Sequence, residues 1–159
     1  MAVTPITSGL SQVIGVKYTV RTDSSADWAS VSNDVYFYDA SSGLAYYKNS
    51  NGTVSALIKK TDSVASVSAL DIDSNITDVS EITAQAAALT INAPTGLGRR
   101  LVIRIKDDGT ARGITFNAIF RGIGITLPTT TTASKTLYIG LIYNTADTKW
   151  DVIALKEEA

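Results

Sequence analysis

Four runs decide how this chain folds: Leu101-Val-Ile-Arg-Ile-Lys106, Gly113-Ile-Thr-Phe-Asn117, Leu137-Tyr-Ile-Gly-Leu-Ile-Tyr143 and Trp150-Asp-Val-Ile-Ala-Leu155. Each is dense in β-branched and aromatic residues, which suit a pleated, half-buried surface. Turn residues separate them, most clearly Asp107-Asp108-Gly109 and Asn144 to Thr148. In the first run Leu101, Ile103 and Ile105 alternate with Val102, Arg104 and Lys106, the pattern of a strand with one buried face. Short strands between regular turns predict an all-β fold, an antiparallel sandwich or a small barrel.

Working outward, Ala84-Gln-Ala-Ala-Ala-Leu-Thr-Ile-Asn92 opens this C-terminal block. Its alanines favour helix, but Leu89-Thr-Ile before Pro94-Thr-Gly96 favours a strand ending in a turn, and strand is the expectation. Glycines flank Ile123 and permit a bulge or close backbone approach. Pro128 and the threonines after it read as an exposed loop, and Lys156 to Ala159 as a solvated tail.

The N-terminal part has its own pattern. Residues 1–14 are small and polar and read as an arm, and Gly15-Val-Lys-Tyr-Thr-Val-Arg21 alternates like a strand. A Ser/Asp-rich loop carrying Trp28 leads into an antiparallel meander: Asp34-Val-Tyr-Phe-Tyr-Asp39, Leu44-Ala-Tyr-Tyr-Lys48 and Thr53-Val-Ser-Ala-Leu-Ile58. Asn51-Gly52, able to take positive φ at both turn positions, marks the second hairpin. The expected division is an arm at 1–14, a small meander at 15–58, a polar junction at 59–83 and a sandwich at 84–159. Within the junction, Val64 to Leu70 reads as one strand.

Composition narrows the chemistry. The 159 residues are enough for one substantial domain or two small ones, and they contain neither cysteine nor histidine. That removes disulfides, thiolate catalysis, the usual zinc ligands and the usual general base. The net charge of −1 provides no field to gather nucleic acid or an anionic membrane. No apolar run approaches the ~20 residues of a membrane span, and Met1 to Pro5 opens no signal peptide. The expectation is a soluble protein with no membrane insertion.

Each chemical motif has a plainer reading that is preferred. Asp71-Ile-Asp-Ser-Asn75 starts like a calcium loop, but Ile76 stands where glycine is needed and Ile82 where glutamate is needed. Gly96-Leu-Gly-Arg-Arg100 resembles an anion cradle, but a strand follows it instead of a helix. Arg104, Lys106, Arg112 and Arg121 could extend a basic patch, balanced by Asp107 and Asp108. The carboxylates a glycosidase would need, among them Asp147 and Asp151, lie in or beside turns, where Asp satisfies backbone N–H groups. The sequons at Asn51 and Asn75 read as chance matches. No catalytic residue, cofactor or metal is expected.

Two features point to surfaces instead. Trp28, Tyr36, Tyr38, Tyr46, Tyr47 and Trp150 could contact a sugar ring or a protein partner, against the alternative of cross-strand packing. The final hairpin is apolar on both faces: Leu137, Ile139 and Leu141 oppose Tyr138 and Ile142, and Trp150 and Val152 oppose Ile153 and Leu155. A second layer of the same chain or a neighbouring subunit must cover the additional face, and a subunit is expected to cover part of it.

The set Leu89-Thr-Ile-Asn-Ala-Pro-Thr-Gly96, Ile103-Arg-Ile-Lys-Asp-Asp-Gly-Thr-Ala-Arg112, Ile114-Thr-Phe-Asn117, Leu127-Pro-Thr-Thr-Thr131, Leu137 to Asn144 and Lys149-Trp-Asp-Val152 resembles a jelly-roll-like module of tailed-bacteriophage virion proteins. Head fibres, capsid decorations and tail-fibre tips carry such modules. The resemblance spans Gln85 to Leu155, and residues 35–54 resemble, less specifically, the small adaptor sheets of the same proteins. It implies an N-terminal meander followed by a jelly-roll-like β-sandwich, with no catalytic residues. It also implies a homotrimer assembled in the host cytoplasm and displayed on the virion. The expected role is capsid decoration or short head fibre, with residues 1–58 on the major capsid protein. The alternative is a receptor-binding tail-fibre tip that recognises host-surface glycan through Tyr36, Tyr46 and Trp150.

Overall fold

A computed structural model describes residues 19–57, 60–96 and 98–159. The expected arm and the first residues of the strand at 15–21 lie outside that range. The chain forms two compact units, Met1–Ile58 and Lys59–Ala159. Almost all its regular structure is β, and the single helix among the described residues is a six-residue 3-10 segment, Ser25–Ser30. None is long and apolar enough to cross a membrane.

Unit 1 is a four-stranded sheet in the order β1 (Thr19–Thr22), β2 (Val35–Asp39), β3 (Leu44–Lys48), β4 (Val54–Ala56). Strands β2 to β4 form the expected antiparallel meander; β1 joins β2 in parallel, its return made through the 3-10 segment. Alternation along β2 buries Val35, Phe37 and Asp39 and exposes Tyr36 and Tyr38. Phe37 stacks on Tyr46 at 5.4 Å between centroids, and Trp28 packs on Tyr46 at 4.6 Å. The buried Lys48 ammonium donates to the carbonyls of Trp28 (3.0 Å) and Val31 (2.7 Å), satisfying the C-terminal end of the 3-10 segment. At the second hairpin Gly52 alone takes positive φ (81°), contrary to the paired expectation. The Asn49 carboxamide oxygen instead accepts from the N–H groups of Asn51 and Thr53, so a side chain secures the turn.

Unit 2 is two sheets around one core. The larger has the order β11 (Phe120–Gly122), β13 (Lys149–Glu157), β12 (Thr136–Asn144), β9 (Arg100–Asp107), β7 (Thr77–Gln85), β5 (Lys60–Val64). The smaller has the order β10 (Ile114–Phe116), β8 (Leu89–Ile91), β6 (Ala69–Leu70). Between β5 and β10 the chain passes alternately from one sheet to the other. Successive strands of each sheet are therefore parallel, three coils deep. Register stacks apolar residues on each other: Val64, Ile82, Ile105 and Leu137 across the large sheet, and Leu70 and Ile91 across the small one. These inward ladders, with Ile103, Ile139, Leu141, Trp150 and Val152, form one contiguous core.

The all-β, sandwich-like class is as expected, but the strand pairing within it is not all antiparallel. Among the described strands of unit 2, only β9–β12 and β12–β13 pair antiparallel. The polar stretch expected as a junction at 59–83 supplies β5, β6 and β7 and belongs to unit 2. The single strand expected over Val64 to Leu70 is divided between β5 and β6, and the one over Ala84 to Asn92 between β7 and β8.

Candidate functional site

The charged and glycine motifs resolve into structural roles. Gly98 sits so close to the preceding coil that a Cβ there would lie 2.3 Å from the Ser74 carbonyl oxygen. Its N–H donates to Ser74 Oγ at 2.9 Å. That glycine permits tight coil stacking, and its amide is already engaged, so it does not serve an anion. In the acidic run, Asp73 accepts from the Asn75 N–H and Asp71 from the Asn92 carboxamide. Among the described residues no group of three or more carboxylates gathers that could hold a metal ion.

The arginines are spread among separate carboxylates instead of forming a patch. Arg104 pairs with Glu81 at 3.0 Å and lies over the Tyr138 ring, while Arg112 pairs with Asp108 at 3.1 Å. Arg121 reaches Asp147 and Asp151, each at 2.8 Å, and Asn144 donates to both carboxylates. Two aspartates thus converge, but on a guanidinium that bonds both and is itself held more firmly protonated by them. The cluster ties β11 to the hairpin turn of β12 and β13.

Asp107 is 3% exposed, although the sequence places it in a turn. Its carboxylate accepts from Thr131 Oγ1 (2.5 Å), the Gly109 N–H (2.8 Å) and the Ser134 N–H (3.2 Å). Burial pushes this carboxyl upward, but those three donors and the Arg112 charge outweigh it, and its pKa lies below the ordinary value. Thr131, expected in an exposed loop, is consequently buried. Asp39 is arranged similarly in unit 1: burial raises its pKa, and donors from Ser42, Ser41 and Thr22 more than reverse that.

The six candidate contact aromatics divide into two groups. Tyr46 and Trp150 are each 2% exposed, and Trp28 is packed on Phe37 and Tyr46. Trp150 packs against Tyr143 at 5.3 Å. Tyr46 and Trp150 are core, not contact residues, because strand alternation places them on the inward face, whereas Trp28 is half-buried against that core. Tyr36 and Tyr38 remain exposed on the outer face of β2, and Tyr47 is half-buried beside them on β3.

The expected interface residues divide by register. Between Gly140 and Leu141 the β12–β13 pairing slips by one residue. Gly140 opposes Ala154 and Leu141 opposes Val152, so Ile153 is the additional residue of a bulge. The bulge resets alternation: Ile153 and Ala154 are exposed, and Leu155 turns inward onto the core. Leu155 is therefore not an interface residue. Tyr138 (39% exposed), Ile142 (43%) and Ile153 (52%) stay on the outer face, joined by Val102 (37%) from β9, which pattern reading had assigned to that side without marking it as a contact. Val79, Val102, Gly140 and Ala154 align across four strands. With Ile142 and Ile153, the first three line an open groove of about 450 Å³ whose floor is low because Gly140 has no side chain. Arg100 and Asp78 also line it.

No family model matches the chain, and no curated protein does either. Among solved structures, one chain from a structure titled "Structure of a chaperone-substrate complex" is similar at 17% identity and a TM-score of 0.39. The match covers 71% of this chain and 20% of that one, so this chain spans about a fifth of the other's length.

Proposed function

We propose that the protein is a structural component of a bacteriophage virion, a trimeric capsid decoration or short head-fibre protein that works through its surfaces and not by turnover. The observation that carries the reading is the aliphatic outer face of the large sheet, where Val102, Ile142 and Ile153 stand exposed around a glycine-floored groove. An antiparallel sheet with one buried face ordinarily turns polar side chains to water. A contiguous aliphatic stripe on the other face marks a contact surface. A second copy of the chain is the partner proposed for it, consistent with the virion-module resemblance over Gln85 to Leu155. Unit 1, separate in its core, is the part proposed to attach to the major capsid protein. Co-sedimentation of the full chain, and of a chain lacking residues 1–58, with empty capsids tests the attachment. Binding by the full chain alone is expected, and retention of the truncated chain would assign attachment to unit 2.

A further inference from the structure

The exposed face of unit 1 differs in chemistry from the aliphatic groove. Alternation on β2 turns Tyr36 and Tyr38 outward, 40% and 41% exposed, and Tyr47 stands directly across from Tyr36 on β3. The Tyr36 and Tyr47 rings lean together at 4.8 Å and 37°, forming one aromatic wall. Tyr38 has no such ring partner among the described residues, because its cross-strand neighbour is Ala45. Ala45, half-exposed, is a small residue between large ones on this face. Tyr38 bounds it on one strand and Tyr47 on the other, with the exposed Leu57 beyond, whose N–H bonds the Ala45 carbonyl.

Polar groups surround these rings with both donors and acceptors. The Tyr47 hydroxyl donates to Asp34 Oδ1 at 3.1 Å, and that carboxylate pushes the phenol pKa upward. Arg21 lies beside Tyr38 in the parallel register of β1 and β2, paired with Asp23 at 3.5 Å. The local charges nearly cancel, with Arg21 offset by Asp23 and one further carboxylate from Asp34.

We infer that this face is a binding platform for a neutral saccharide, seated over Ala45 against the Tyr38 and Tyr47 rings. A pyranose presents an apolar C–H face edged by hydroxyls that both donate and accept. The platform offers the matching arrangement of flat ring faces edged by phenol, carboxylate and guanidinium groups. Single-stranded nucleic acid also stacks on aromatics but needs uncompensated cations along its backbone, and these are absent here among the described residues. The site goes beyond the proposed capsid role and does not depend on it.

Full-length protein is screened on an array of neutral glycans, then titrated with cellohexaose, chitohexaose and any array hit, alongside a heparin oligosaccharide and oligo-dT. Saturable binding of a neutral saccharide is expected, weakened about tenfold in Tyr38→Ala and retained in Tyr38→Phe. Tyr38→Ala should keep the wild-type circular dichroism spectrum, because the side chain lies outside the core. Three results would each overturn the site: no neutral saccharide bound at millimolar concentration, binding unchanged in both Tyr38→Ala and Tyr36→Ala, or binding confined to heparin and oligo-dT. Loss of capsid attachment or of the trimer would leave these readings unaffected, so the two proposals fail separately.

Discussion

At the scale of single residues, the charges this chain buries are more informative than those it exposes. Asp107 gathers three donors from two separate loops, so its removal strands a hydroxyl and two amides at once. Asp107→Ala should cost about 3 kcal/mol, read as a lower urea midpoint with the slope unchanged. The pH dependence has a definite sign. Asp39 and Asp107 have depressed pKa values in the folded state, so their contribution is complete above the unfolded carboxylate value of about 3.9 and is lost as pH falls through the folded values. The urea midpoint should therefore hold from pH 7 to 5 and drop below about pH 4, and the drop should shrink in Asp107→Ala. The sequence marked Asp107 as a turn residue, because Asp-Asp-Gly is a local signal. It could not mark it as buried, because Thr131 and Ser134 reach it only through the tertiary fold.

Among the elements, the legible and illegible parts of the fold have different physical causes. Hairpins announce themselves locally: β2–β3, β3–β4 and β12–β13 are joined by short Asn-, Asp- or Gly-rich turns and were expected with nearly their observed bounds. The coils of β5 to β10 have similar short connections, but these carry the chain to the opposite sheet. Nothing in a four-residue link such as Ala65 to Ser68 distinguishes a corner from a hairpin turn. Strands β5 and β7 were hidden further because stretches as polar as Lys60-Thr-Asp-Ser and Thr77-Asp-Val-Ser-Glu look like linker when the ladder partners are remote in sequence. Coil stacking has a specific test in Gly98, whose added Cβ would overlap the Ser74 backbone. Gly98→Ala should cost about 1–3 kcal/mol in urea unfolding, whereas the open Gly113 should tolerate alanine at close to wild-type stability. The bulge at Ile153 is the other illegible feature. A register slip leaves no mark in the alternation of an apolar strand, so Leu155 reads as outward until the pairing is seen.

For the whole molecule, the two units present two kinds of surface, aliphatic on unit 2 and aromatic on unit 1, and a different partner is proposed for each. The aliphatic face of unit 2 is the central one. If copies of the chain meet there, a carboxylate placed in the stripe must be desolvated in the assembly but not in the free subunit. Ile142→Glu and Ile153→Glu should therefore leave the β-rich circular dichroism spectrum and the urea midpoint of the subunit intact while breaking the oligomer. Light scattering coupled to size exclusion, on the full-length protein at micromolar concentration, measures this most directly. The expected result is three times the chain mass for the wild type and a single chain mass for Ile142→Glu; a wild-type monomer, or an Ile142→Glu variant that remains trimeric, would contradict the assignment of this face.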